Sequence, residues 1–276
     1  MIILRPLTIC NFVLVLSGAA FGQALDKPQA AVSPKEKALQ TALAEAATLK
    51  PTDPKMAKAY GDLADFYTAQ SRYPEADKLY QKRLELLEDA LGRANPQLIP
   101  AINDVARVNF AQMKYARAAE MFERSLRVME REYGEEDPKI VPAIDDVAQV
   151  LQMDQKYPEA EKFLRRATTI REKVVGAESP ELVPDLSQLA QMSVLQNKAS
   201  AAVTLYQRVL KIQQKTYPSA NAPELLPTLD ALATLSLDAK ENEAAEPLLR
   251  QTLAIRESSL GPMHPEVAKN QSTSAA

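Results

Sequence analysis

Prolines recur along this chain at a nearly constant interval, and that interval constrains the fold more than any other feature. Pro54, Pro96, Pro138, Pro180, Pro223 and Pro265 stand 42, 42, 42, 43 and 42 residues apart. A second set, Pro100, Pro142, Pro184 and Pro227, keeps the same register. A period of this length marks a supersecondary unit stacked on copies of itself. Alanine, leucine, glutamate and lysine dominate the 276 residues, tryptophan is absent and glycine is scarce, which suits helices. Nineteen prolines conflict with that reading unless they punctuate, because a proline inside a helix costs roughly 3 kcal/mol. Just before a helix or in its first turn the missing N–H has no intrahelical partner to lose. Ten of the nineteen are locked to the repeat, so the prolines mark where helices begin.

Gly92, Gly134, Gly176 and Gly261 recur four residues before the punctuating proline. Glycine there predicts a helix end in the left-handed conformation. The fourth repeat has Tyr217-Pro218 instead, with one inserted residue, which predicts an irregular turn. Within a repeat the apolar spacing is helical. Ile102, Val105 and Ala106 share one face, as do Ala118, Phe122 and Leu126. Gln112, Met113 and Lys114 fall between them. Each repeat therefore reads as two antiparallel helices, Gln97 to Ala111 and Ala116 to Tyr133 in the second one.

Five small-residue pairs twelve residues apart then carry a family resemblance: Ala64 with Ala76, Ala106 with Ala118, Ala148 with Ala160, Ala190 with Ala202, and Ala233 with Ala245. A large apolar residue follows each pair, as Tyr80, Phe122, Leu164, Tyr206 and Leu249. Lys156-Tyr157-Pro158-Glu159-Ala160-Glu161 looks like the start of a second helix, as does Glu246-Pro247-Leu248. Residues Leu260 to Ala268 look like an inter-repeat linker. From about Lys55 to Ala268 the chain resembles the tetratricopeptide repeat family, in particular its 42-residue kinesin-light-chain-like variety. The resemblance implies an all-α fold, a right-handed superhelical solenoid of antiparallel helix pairs. Five repeats are expected, at residues 55–96, 97–138, 139–180, 181–223 and 224–265.

The ends read separately. Arg5, an apolar run from Leu7 to Phe21 and the small residues Gly22-Gln23-Ala24 form the pattern of a secretory signal peptide over residues 1–24. The run is short for a bilayer-spanning helix of roughly 20 residues; an uncleaved anchor is the alternative. Cleavage would remove Cys10, the only cysteine, and take the formal charge from −3 to −4. These features predict a periplasmic or secreted protein with no membrane insertion once processed. Residues 25–33 read as a linker. Residues 34–54 read as an N-terminal capping helix, with Leu39, Ala42, Leu43 and Ala46 on one face, which a stacked solenoid needs to keep water off its end. Residues 266–276 begin a sixth unit and end in a polar tail read as disordered. The last repeat is then a surface for self-association, or one partly covered by the tail.

Catalysis finds little support. His264 is the only histidine and lies in a linker, where the family commonly has histidine before proline. With one histidine and no cysteine after cleavage, no metal set is expected unless carboxylates alone bind a hard cation, and no cofactor, since no Gly-rich phosphate loop is present. Asp145-Asp146 reads as a solvated helix face. An acidic chain with no basic stripe gives no sign of nucleic-acid binding.

Binding remains. The resemblance implies that first helices line a concave groove that holds a partner segment. Helical spacing assigns to that face Lys58, Gly61, Asp62 and Asp65, then Pro100, Asn103, Asp104 and Arg107, then Pro142, Asp145, Asp146 and Gln149. Pro184, Ser187, Gln188 and Gln191 follow, then Pro227, Asp230, Ala231 and Thr234. Acids outnumber cations in the first three repeats, so a basic or polar protein segment is the expected partner. The carboxylate-binding clamp of some family members is matched only at Asn103, with Arg107 nearby. The expected function is an interaction scaffold or adaptor; a structural subunit acting through its convex face or open C-terminal end is the alternative.

Overall fold

The computed structural model describes residues 33–49, 53–261 and 264. The signal-peptide, linker and C-terminal-tail readings fall outside them. Among the described residues there is no strand. Eleven α-helices follow one another: α1 (Pro34–Ala46), α2 (Pro54–Ala69), α3 (Tyr73–Leu91), α4 (Ile99–Ala111), α5 (Tyr115–Tyr133), α6 (Val141–Met153), α7 (Tyr157–Val175), α8 (Val183–Leu195), α9 (Ala199–Thr216), α10 (Leu226–Asp238) and α11 (Asn242–Leu260). Each packs chiefly on its neighbours in the chain, the contact pattern of a solenoid. Leu39 and Leu43 of α1 pack on the first core, so α1 covers that end.

The prolines open helices, as expected. Pro54 starts α2, while Pro96, Pro138, Pro180 and Pro223 each start a 3₁₀ turn that leads into the next first helix. The preceding residue is the cap. Asp53, Asn95, Asp137 and Ser179 each accept the backbone N–H two residues on, at 2.8–3.3 Å. Ala222 cannot, so the irregular fourth repeat also lacks a cap. His264 falls in this same register, and its N–H reaches the Gly261 carbonyl as Asn95 reaches Gly92, both at 3.2 Å.

Two expectations need correction. The glycines that end α3, α5, α7 and α11 have φ of 83–96°, but their ψ of 147–158° lies far from the left-handed helical well. This conformation is open essentially to glycine alone, because the chain must leave the helix and extend at once toward the next capping residue. Second, Glu246-Pro247-Leu248 does not start a helix. Helix α11 begins at Asn242, so Pro247 lies more than a turn inside it. Helical packing around Ala245 and Leu249 offsets the lost hydrogen bond.

In the second repeat the loop glycine can be tested alone. A Cβ added at Gly134 meets nothing within 4 Å, so its cost is backbone strain only. Gly134→Ala is expected to lower unfolding stability by about 1–3 kcal/mol in urea titrations. A loss below about 0.5 kcal/mol would show that the turn relaxes without its glycine.

Candidate functional site

The first helices α2, α4, α6, α8 and α10 turn one side into the cores and leave the opposite side partly open. Every groove residue expected from the spacing is on that open side, half-buried or exposed, except Gly61. Gly61 is buried because the Arg83 side chain lies across it; a Cβ there would meet Arg83 at 3.3 Å.

The charges are not arranged as first-helix spacing suggested. Lys58 pairs with Asp62 at 2.5 Å, one turn away and exposed. The Tyr80 hydroxyl donates to Asp65 at 2.6 Å. Arg83, from the second helix α3, reaches Asp104 at 2.7 Å, and Arg107 stands 3.7 Å from the same carboxylate. Arg171 of α7 pairs with Asp145 and, at 2.7 Å, with Asp185 of the next repeat. Arg256 of α11 holds Asp230 at 2.6 Å. The expected excess of acid is thus reduced by Arg83, Arg171 and Arg256. A tally of first-helix positions omits these because they come from the facing helix, ~20–30 residues away in sequence.

What stays unmatched is more specific. Asp146 is half-buried and makes no hydrogen bond or ion pair among the described residues. Asn103 Oδ1 is buried without a donor. Gln149 and Gln191 are exposed, while Gln188 stands 3.5 Å from Gln152 on the preceding first helix. Asp145-Asp146 is therefore not the solvated face expected from sequence. Burial pushes the Asp145 carboxyl up to about 6 despite the attraction of Arg171. Burial also raises Asp104, outweighing Arg83 and Arg107, and raises Asp146, outweighing Arg107.

Three open clefts flank this face. One of about 370 Å³ lies between α1 and α2, with Leu39, Ala46 and Leu49 against Lys58 and Asp62. A second, of about 230 Å³, contains Lys58, Asp62, Asp65 and Arg83. The third, of about 350 Å³, opens between the start of α6 and the end of α7. No group of described His, Cys, Asp or Glu residues is placed to hold a metal ion, and no described helix is long and apolar enough to cross a membrane.

A carboxyl raised by folding contributes stability that is complete below its unfolded value near 4 and is lost as pH rises through about 6. Asp145→Asn removes that dependence. Thermal unfolding followed by circular dichroism from acid to neutral pH should show the variant gaining about 1 kcal/mol on the wild type, the size set by solvent screening of a partly exposed group. A variant that loses stability at neutral pH would show that the Arg171 pair outweighs burial.

Comparison with known proteins places these features in a family. A tetratricopeptide repeat model matches residues 55–131, 97–173 and 140–215, and a second tetratricopeptide repeat model matches residues 226–266. Comparison with curated proteins finds no match. Among solved structures, the kinesin-light-chain-type TPR-like repeats from Podosopora anserina are 22% identical, with a TM-score of 0.59 over 76% of this chain and 98% of that one. BtubC from P. vanneervenii is 20% identical, TM-score 0.55, over 85% and 94%. MamA is 13% identical, TM-score 0.54, over 77% and 98%. With helix pairs in a 42-residue register and family models matched over most of its length, the chain belongs to the tetratricopeptide repeat family.

Proposed function

We propose that the chain is a protein-interaction scaffold that holds a basic or polar segment of a partner along the open side of its first helices. Tetratricopeptide repeats generally mediate protein–protein interaction, and the family is generally non-enzymatic. The observation that carries the finer reading is the set of groove carboxylates. Asp104, Asp145 and Asp146 all lie above their ordinary range because burial disfavours their charge. At neutral pH, where all three are charged, that burial costs stability that Arg83 and Arg171 only partly offset. A cationic partner segment would relieve them, and a donor would satisfy Asn103 Oδ1.

The test compares the wild type with Asp104, Asp145 and Asp146 all changed to Lys. Both forms are used for quantitative pull-down from an envelope fraction, with circular dichroism to establish folding. Partners that bind the wild type and fall away from the reversed form support the groove. Partners retained equally would move recognition to the convex face or the C-terminal end.

The compartment is a proposal of its own. The N-terminal pattern supports export with cleavage after Ala24. Intact mass of the protein from an exporting host should match residues 25–276; a full-length mass in the membrane fraction would favour an uncleaved anchor.

A further inference from the structure

Four seams join successive repeats, and the residues filling them change along the solenoid. Each seam brings a residue near the end of a second helix toward one in the opening turn of the next first helix. In the first, Leu87 packs on the core that contains Ala101. In the second, Met129 packs on the core that contains Ala143. The fourth is polar and matched: Gln213 accepts the Thr228 hydroxyl at 2.8 Å and donates to the Glu224 carbonyl at 2.9 Å. At these two positions the third alone is charged, with one cation, Arg171, between two carboxylates, Asp145 and Asp185, although Arg83 and Asp104 pair elsewhere in the first seam.

Stability does not explain that exception. An apolar pair of similar volume serves at least as well as a buried ion pair, and the first two seams use one. The third seam also opens onto the cleft of about 350 Å³, walled by Val141, Pro142, Val174 and Val175 with Arg171 and Glu181 on its polar side. The Glu181 carboxylate makes no ion pair among the described residues. Two carboxylates thus share one guanidinium, and a third, Glu181, lines the same apolar slot. A neutral apolar side chain entering the slot would strip water from those carboxylates with no return. Lysine and arginine suit both parts, because each has an apolar stem and a cationic head.

We propose that this cleft takes a lysine or arginine side chain of an extended partner segment. The methylenes lie on Val141, Pro142, Val174 and Val175, and the head faces Glu181 and the Asp145–Arg171–Asp185 cluster. The inference rests on the groove reading above and adds to it one side-chain class at one place.

The experiment pans a randomised linear peptide library on the full chain, then measures an enriched peptide by fluorescence polarisation. Peptides should share a lysine or arginine at one position. Replacing that residue by norleucine keeps the stem and removes the charge, and should weaken wild-type binding about tenfold, the value of one charge-assisted contact. In Asp185→Asn the same replacement should cost less than about threefold. Val174→Lys puts a competing cation at the mouth; Val174 is 61% exposed, so the fold tolerates it, and binding should fall about tenfold. Enriched peptides that need Asp104, Asp145 and Asp146 but show no fixed cation, or lose equally to norleucine in wild type and Asp185→Asn, would overturn the cleft assignment and leave the groove. No enrichment, or equal binding to the charge-reversed form, would overturn both.

Discussion

The close crossing of the two helices in each repeat is the constraint on which the rest of the structure depends. At every crossing stands an alanine pair, from Ala64 with Ala76 to Ala233 with Ala245, and all ten residues are at most 2% exposed. Alanine allows two backbones to approach where a larger side chain would hold them apart. The approach sets the angle of each hairpin, and with it the direction in which the next repeat must start. It also determines which side of the first helix stays open. Larger residues one turn beyond, such as Phe122 and Leu164, then fill the wedge between the helices.

Between repeats a second device recurs. Arg124 reaches Glu88, Arg166 reaches Glu130 and Arg208 reaches Glu172, each from one second helix back to the one before. The same arginines donate to the carbonyls of Arg93, Glu135 and Ala177 in the preceding loops. Gln251 reaches Ala220 in the equivalent way. These half-buried arginines tie each loop to the next helix, satisfying carbonyls that follow a helix end. Deeper inside, Glu161 is held down to about 2 by hydrogen bonds from Arg165, Lys198 and Gln196, which more than offset its burial. Each of these charged groups has a partner of opposite sign within the scaffold, and Glu88 and Glu161 each face two cations.

The open side of the first helices follows another rule. There the charges are imperfectly matched among the described residues: Asp146 makes no hydrogen bond or ion pair, Asn103 Oδ1 has no donor, and Arg171 is shared. Unsatisfied polar atoms are not confined to this face, because Asn109 Oδ1 and Ser125 Oγ are also buried without a hydrogen-bond partner. The arginine ties and this face thus differ in how their charges are paired, within one repeated architecture.

The sequence by itself determined the period, the two-helix unit, the proline-marked starts of the first helices and the alanine crossings, because each depends on residues within one repeat. Proline, capping residues and helical spacing act over a few positions and can be read directly. It also located the open face, down to Asn103, Asp104, Asp145 and Asp146. It could not give the charge of that face. Arg83, Arg171 and Arg256 reach it from facing helices, and only packing decides which side chains meet there. A trace was present in the register, where Leu87 and Met129 give way to Arg171 while Ala101 and Ala143 give way to Asp185. Spacing alone could not show that these two series face each other across a seam. That juxtaposition, the burial that lifts Asp145 to about 6, and the extended glycine at each helix end are set by how one repeat leans on the next.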